Sequence, residues 1–149
     1  MKRTATCSCG LLSVICEGSP VFVSACHCKA CQRRTGSVFA VNATFPSSNV
    51  EVRGRSSSYT RAPDSGRKVK FQFCAECGST VYWSVDARPN ATVVGVGAFG
   101  DPGFDSPIRT VWTESKHLGS NAGGSARARQ RRHACRTSAS GREAIGGER

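Results

Sequence analysis

Hydrophobic and polar positions alternate in short runs from Lys2 to Trp112, and Gly, Pro, Asn or Ser residues separate these runs. In "KVKFQF" (68–73) every second residue is valine or phenylalanine, which is the period of a strand with one covered face. About nine short strands at such spacing predict an all-β domain of packed antiparallel sheets. The other eight runs are rich in Val, Phe, Tyr, Trp and Thr: "LLSVICEG", "PVFVSAC", "SVFAVNATF", "VEVRG", "SSYTRA", "TVYWSVD", "ATVVGVGAF" and "IRTVWTE".

One segment departs from this pattern. "CKACQRR" (28–34) lacks the alternation and predicts at most one short helical turn after Cys28. Hydrophobic residues make up only 38% of the chain, and nine residues are cysteines. A core this small is usually reinforced by a metal or by disulfides.

Whether the cysteines form disulfides or bind a metal depends on the cellular compartment of the protein. No run of about 18 apolar residues occurs, so we expect no membrane span. The start "MKRTATCSCG" is basic but no apolar segment follows it, so we expect no secretory signal and a cytoplasmic protein. Because a reducing cytosol keeps thiols free, the closely spaced cysteines are interpreted as metal ligands.

The net charge of +11 is unevenly distributed along the chain. Residues 119–149 carry seven arginines and two glutamates, which is +5 of that total. This segment, the tail, is rich in Gly, Ser, Ala and Arg, so we expect it to be disordered beside a folded domain of residues 1–118. An arginine-rich tail can bind nucleic acid electrostatically, and the alternative is a solvated tail without a specific partner.

Four cysteines have the spacing of a structural zinc site. In "FCAECGS", Cys74 and Cys77 form a C-x-x-C pair followed by Gly78, and "CSCG" places Cys7 and Cys9 before a glycine in the same way. A glycine permits the tight turn that points both thiolates at one ion, and a structural zinc needs four ligands. Together the two pairs, here the quartet, would tie the first strand to the middle of the sheet. A redox pair is the alternative, but redox C-x-x-C motifs precede a helix and this one is flanked by strands.

Three more cysteines, Cys26, Cys28 and Cys31, form the trio in "ACHCKACQRRTG". After the quartet has closed one zinc, the trio can bind a second zinc and leave one position for water or substrate, as in catalytic zinc sites. His27 could be the fourth ligand. In an extended segment, however, alternate side chains point to opposite faces, so we expect His27 to pack or to hydrogen-bond instead.

Three thiolates on Zn²⁺ leave a site of charge −1, which suits a soft fourth ligand such as a substrate thiol. Zinc would lower the pKa of that thiol and hold it as a nucleophile. Lys29, Arg33 and Arg34 could offset the charge or bind a substrate carboxylate, or they could form an ordinary solvated turn. Cys16 lies in an apolar run and is interpreted as a small buried hydrophobe.

The motifs "CSCG", "CHCKACQRRTG" and "FQFCAECGS" together resemble those of the glutathione-dependent formaldehyde-activating enzymes, also called S-(hydroxymethyl)glutathione synthases, and the related centromere protein V domain. The resemblance covers roughly residues 3 to 116. It implies a zinc-stabilised β-tent fold with two zinc ions, one held by the quartet and one by the trio. It also implies that glutathione adds to formaldehyde at the trio. Beyond "VWTESKH" the tail differs from the Trp-containing, acidic segment of the family.

The leading functional hypothesis is therefore a zinc-dependent carbon–sulfur lyase that joins a thiol, glutathione by resemblance, to formaldehyde or a related aldehyde. The alternative is a non-catalytic, zinc-stabilised module that binds nucleic acid or protein. Most aromatic residues occupy strand-like positions that we expect to be buried, which argues against stacking of single-stranded bases. The partners expected are thus small molecules, with nucleic acid only at the tail, and a homodimer is left open.

Overall fold

The computed structural model describes residues 1–62 and 66–121, which form two β-sheets and one short α-helix. The helix, α1, spans Lys29–Thr35, and four 3-10 helices span Ser47–Asn49, Val96–Phe99, Thr113–Ser115 and Leu118–Asn121. The strands are β1 (Lys2–Thr6), β2 (Ser13–Glu17), β3 (Phe22–Cys26), β4 (Ala40–Pro46), β5 (Val50–Arg53), β6 (Ser56–Arg61), β7 (Val69–Cys74), β8 (Thr80–Val85), β9 (Ala91–Gly95) and β10 (Arg109–Val111). The predicted all-β fold with one short helical segment is confirmed.

The sheets differ in size and in strand direction. The smaller has the order β1-β2-β5 and is antiparallel, and the larger has the order β10-β3-β4-β9-β8-β7-β6. Within the larger sheet, β10 pairs with β3 in parallel, and the other pairs are antiparallel. The predicted antiparallel sheets are thus confirmed, and the pairing of β10 with β3 is the parallel exception among the described strands. The alternation of side chains shows which face of a strand is covered, but it does not show the direction of the neighbouring strand. Here the long connection after β9 allows β10 to run parallel to β3.

The core lies between the two sheets. The smaller sheet and its first turn contribute Leu12, Val14 and Cys16, and the larger sheet contributes Phe45 and Val81, all of them fully buried. Burial in this apolar environment raises the pKa of the Cys16 thiol to about 11. Cys16 is thus the small buried hydrophobe that the sequence predicted.

Helix α1 is capped at both ends and fixed to its surroundings by one glutamine. The Cys28 Sγ accepts a hydrogen bond from the Cys31 amide at the start, and Gly36, in the left-handed conformation, ends the helix. The Gln32 Nε2 donates to the carbonyl oxygens of His27 (2.7 Å) and Ser115 (2.8 Å). At seven residues α1 is short, and no helix in the described ranges is long and apolar enough to cross a membrane.

Several aromatic side chains that we expected in the core are not there. Phe71 and Phe73 on β7 are half-buried, whereas Tyr59 and Trp112 are 60% and 57% exposed. The expectation of burial is therefore wrong for these four. Apolar and polar side chains do alternate along β7. Its aromatic face, however, lines an open cleft and contacts the Arg34 side chain instead of packing against the smaller sheet.

The predicted tail falls largely outside the described part of the chain. Its first residues, 119–121, continue the 3-10 helix that begins at Leu118. Residues 122–149 lie outside the described residues, and these include the two tail residues Cys135 and His133. The proposed domain boundary at residue 118 remains a prediction.

A glycine allows the chain to pass from the smaller sheet to the larger one. Gly54 follows β5 with φ +95°, and a Cβ placed on it would lie 1.9 Å from the Leu11 carbonyl oxygen. We expect Gly54→Ala to lower the free energy of unfolding by more than about 3 kcal/mol, because overpacking adds to the cost of a positive φ. Gly100→Ala is the matched control, with φ +60° and no atom within 4 Å of the added Cβ, and should cost about 1 kcal/mol. Equal losses in denaturant titrations would contradict the close approach at Gly54.

Candidate functional site

The quartet predicted from the sequence is assembled in the structure. The four Sγ atoms of Cys7, Cys9, Cys74 and Cys77 all lie within 4.8 Å of one another. The Sγ of Cys9 is 3.5 Å from that of Cys7 and 3.6 Å from that of Cys74. Tetrahedral zinc with Zn–S bonds near 2.3 Å would separate its sulfurs by about 3.8 Å, whereas a disulfide would hold them at about 2 Å. The sulfur positions therefore fit a tetrahedral ion.

Two similar turns present these thiols. Gly10 donates its amide to the Cys7 carbonyl and Gly78 donates to the Cys74 carbonyl, both at 3.0 Å, and both glycines have positive φ. The predicted role of glycine after each cysteine pair is thus confirmed. The Leu12 amide donates to the Cys7 Sγ at 3.2 Å, which favours a thiolate at that position.

The quartet joins the two sheets. Cys7 and Cys9 lie in the β1–β2 turn of the smaller sheet, and Cys74 and Cys77 lie at the β7–β8 turn of the larger one. The two turns also touch through a 2.8 Å hydrogen bond between the Ser8 and Ser79 hydroxyls. The expected link to the middle of one sheet is therefore a link between two sheets, and β7 is the neighbour of the edge strand β6. The period of the hydrophobic positions does not show which strands belong to which sheet, so the sequence could not predict this link.

The four thiols cannot all ionise easily without a cation between them. Hydrogen bonds with the hydroxyl and the amide of Ser79 lower the pKa of Cys77 to about 5. For Cys9, the Leu11 amide lowers the pKa, but desolvation and the other three thiols outweigh it and raise the pKa to about 12. Opposite shifts within one cluster are what like charges sharing a site produce, and a bound cation would remove the conflict.

The trio is assembled where β3 meets α1. The Sγ atoms of Cys26, Cys28 and Cys31 also lie within 4.8 Å of one another. Cys26 ends β3 and is buried, whereas Cys28 and Cys31 belong to the first turn of α1 and are half-buried. The donors again fit a thiophilic metal, and two of the three thiols are partly accessible.

The pKa values of the trio thiols are also shifted in opposite directions. A hydrogen bond with Cys26, aided by Cys28 and by the Arg34 guanidinium, lowers the pKa of Cys31 to about 6 although burial opposes the shift. The same hydrogen bond, together with burial, raises the pKa of Cys26. Arg34 thus already supplies positive charge to the thiol beside it.

His27 does not join the thiols. The cluster of candidate ligand atoms contains the three sulfurs and not the imidazole. The His27 ring is buried and packs on Phe39 with the ring centroids 5.4 Å apart, while its amide donates to the Val111 carbonyl at 3.0 Å. Its Nδ1 is buried without a partner in the described residues. The expectation from alternation, that His27 packs, is confirmed.

Two clefts open on either side of the trio. The Cys31 cleft has a volume of about 560 Å³, and the aromatic side chains Tyr59, Phe71 and Phe73 form part of its lining. The Cys28 cleft has a volume of about 540 Å³, and its lining includes Val69 and Trp112. Ala30, Arg33 and Arg61 line both clefts, so these residues form the ridge between them. Each volume is in the range of about 300–1,000 Å³ that holds a small-molecule ligand.

The three basic residues singled out in the sequence take different positions. Exposed Lys29 lines the Cys28 cleft, exposed Arg33 lies on the ridge, and half-buried Arg34 lines the Cys31 cleft. The Arg34 guanidinium stacks over the rings of Trp83 (4.4 Å to the centroid) and Phe71 (5.3 Å), and its Nε is buried without a partner in the described segments. Arg34 is therefore held rigidly beside Cys31, unlike a residue of a solvated turn.

Sequence reasoning missed the residues that the β6–β7 hairpin and the chain after β10 bring to the trio. Arg61 and Arg67 come from the two sides of that hairpin and line the Cys28 cleft. Trp112 follows β10 with φ 59°, an uncommon left-handed conformation for a residue with a side chain, and lines the cleft beside Cys28. No local motif marks these residues, because only the fold brings them near residues 26–34.

Comparisons with known proteins agree with the motifs. A family model described as glutathione-dependent formaldehyde-activating enzyme matches residues 2–115. No curated protein shows a significant match to the chain. Among solved structures, the chain is similar to the crystal structure of a Rhodobacter sphaeroides protein, with 22% identity, a TM-score of 0.53, and coverage of 72% of this chain and 98% of that one. That similarity supports the fold alone. By its match over residues 2–115, the chain belongs to the glutathione-dependent formaldehyde-activating enzyme family.

Proposed function

We propose that the protein is a zinc-dependent carbon–sulfur lyase that joins glutathione to formaldehyde or a related aldehyde at the trio, with a second, structural zinc in the quartet. The observation that carries the proposal is the contrast between the two cysteine clusters. Four thiols surround one point between the sheets, whereas three thiols gather where two clefts meet. A four-ligand site braces a fold, and a three-ligand site beside a cleft can accept a substrate.

Zinc is the metal favoured by the donor set. Thiolates in a tetrahedral arrangement select zinc or an iron–sulfur cluster, and the described cysteines are all free thiols as a reducing cytoplasm would keep them. When bound at the trio, zinc supplies a lowered pKa for a substrate thiol. The contribution of the chain is to fix the three sulfurs: Cys26 through the β3 ladder, and Cys28 and Cys31 through α1.

The Cys31 cleft is the proposed place for the thiol compound. A glutathione thiol directed at the trio would leave its two peptide arms in a cleft with aromatic walls and the guanidinium of Arg34. Arginine pairs with a carboxylate through two parallel hydrogen bonds, so Arg34 or Arg33 can hold a terminal carboxylate of the peptide. The fixed stacking of Arg34 on Trp83 means that little side-chain entropy remains to be lost on binding.

The alternative function is a non-catalytic binding module in which both clusters only brace the fold. A bracing zinc is closed by protein ligands, whereas Cys28 and Cys31 each line a cleft. This exposure favours the enzyme. The half-buried position of Phe71 and Phe73 weakens the sequence argument against base stacking, but these rings line a pocket beside the trio.

The test is whether a thiol enters the coordination shell of the metal. We expect about two zinc ions per chain, and we expect glutathione to change the visible spectrum of the cobalt-substituted protein by adding a thiolate ligand. S-methylglutathione, which lacks the thiol, is the matched control and should leave the spectrum unchanged. The rate of S-hydroxymethylglutathione formation above the spontaneous rate is the second measurement. One metal per chain with no spectral change and no rate increase would overturn the proposal.

A further inference from the structure

The Cys28 cleft has a charge that formaldehyde does not require. Four of the described side chains that line it are cationic, namely Lys29, Arg33, Arg61 and Arg67, and none of its described lining residues is acidic. The described residues provide no ion pair to these four, since the three salt bridges found among them involve other cations. The Arg61 Nε is buried and has no partner within the described chain. A buried guanidinium nitrogen without a partner is costly, and an anion bound in the cleft would satisfy it, while the exposed Lys29, Arg33 and Arg67 add positive charge around it.

The cleft is also far larger than the smallest aldehyde. Its volume of about 540 Å³ compares with about 30 Å³ for a water molecule in the liquid, and formaldehyde has only two heavy atoms. The separate Cys31 cleft, of about 560 Å³, is itself large enough for a whole ligand. Two clefts that reach one trio from opposite sides of a ridge suit two substrates that meet there.

Trp112 shapes the outer part of this cleft. It directly follows Val111, which pairs with Cys26 in the β10–β3 ladder, and its left-handed backbone allows the chain to turn there. The Ser115 amide donates to the Trp112 carbonyl at 3.3 Å, so the turn is closed. A half-exposed indole beside cationic side chains is typical of a binding surface rather than of a core.

We propose that the Cys28 cleft binds the second substrate and selects an aldehyde that carries an anionic group, a carboxylate or a phosphate. This inference rests on the proposed function, whose substrate class it narrows. The anionic group binds Arg67 and Lys29, and the carbonyl carbon lies toward the trio. In the reaction the thiol sulfur forms a bond to the carbonyl carbon, the C=O π bond breaks, and the thiol proton passes to the new hydroxyl. Atoms and electrons balance, and no oxidant or further reactant is needed.

The test compares small two-carbon aldehydes with and without an anionic group. Binding of glycolaldehyde, glycolaldehyde phosphate and glyoxylate to the zinc-loaded full chain is measured by calorimetry without a thiol, so that no addition occurs. We expect at least one of the anionic aldehydes to bind about tenfold more tightly than glycolaldehyde, because charge-assisted hydrogen bonds are the strong ones. Preference for the phosphate or for glyoxylate then identifies the anionic group.

Variants assign that binding to the cleft. Arg67→Met should remove most of the preference for the anion, and Arg55→Met is the matched control because Arg55 is exposed and does not line either cleft. In steady-state thiol addition, Arg67→Met should raise the KM for the anionic aldehyde and leave the KM for the thiol unchanged. If neither glyoxylate nor glycolaldehyde phosphate binds more tightly than glycolaldehyde, or if S-methylglutathione displaces the anionic aldehyde, this inference is overturned.

The outcomes separate this inference from the function on which it rests. Thiol addition to formaldehyde without any preference for anionic aldehydes overturns the inference and leaves the proposed function in place. Binding of anionic aldehydes that depends on Arg67, without thiol addition to any aldehyde, overturns the proposed function and supports the ligand class assigned to the cleft.

Discussion

Cys74→Ser is expected to unfold the domain and to release the metal of the quartet. Cys74 is 1% exposed and belongs both to the quartet and to the hydrophobic core. A structural zinc contributes on the order of 10–16 kcal/mol of apparent binding free energy at neutral pH, as much as the whole net stability of a typical domain. A serine in its place would also leave a buried hydroxyl among apolar side chains. Circular dichroism and zinc content per chain measure the two effects together.

Cys16→Ser is the matched control for that experiment. Cys16 is fully buried like Cys74, but it lies outside both clusters. The same exchange of sulfur for oxygen should cost only about 1–3 kcal/mol there, through the unsatisfied hydroxyl, and leave the metal content unchanged. If the two variants lose equal stability and both retain full metal content, the quartet does not hold a structural metal.

Cys28→Ser should have the opposite outcome, a folded protein without activity. Cys28 caps the N-terminus of α1 through its Sγ, and serine is among the preferred residues at this position. The helix should therefore persist, and the free energy of unfolding should change by no more than about 1 kcal/mol beyond the loss of the second metal. We expect thiol addition to fall at least about 100-fold, since even residues that only support a metal ligand matter 10–100-fold.

Two quantities are measured, the rate of thiol addition to formaldehyde and the zinc content. The zinc content should fall from two to one per chain in Cys28→Ser. Cys28→Ala separates the two roles of the residue, because it removes the helix cap as well as the metal ligand and should lose additional stability. An undiminished rate in Cys28→Ser would contradict the assignment of the trio as the reaction centre.

Both clusters could be predicted from the sequence because their ligands lie in local motifs. A glycine after each pair of the quartet and the close spacing of the trio constrain the thiols within a few residues, and the division into four and three follows from the ligand number of zinc. The packed position of His27 followed from alternation in the same way. Short-range backbone geometry fixes the thiols within each motif, whereas the joining of the two pairs of the quartet was inferred from the ligand number of zinc.

The clefts could not be predicted, because their walls come from distant parts of the chain. Arg61 and Arg67 reach the trio only through the pairing of β6 with β7 and their place in the larger sheet. The exposure of Tyr59 and the parallel direction of β10 depend equally on long-range packing. Hydrophobic period carries no information about which strand becomes a neighbour.

The parallel pairing of β10 with β3 also has a consequence for the order of synthesis. Val111 lies opposite Cys26, and among the described strands β3 is the third to be synthesised whereas its outer neighbour β10 is the last. Until the ribosome has released that segment, β3 is the edge of its sheet and its backbone groups on that side are unpaired. An unpaired edge invites pairing with other nascent chains. Strand β10 therefore covers the backbone edge that ends at Cys26, and it becomes available only after the other described strands have been synthesised.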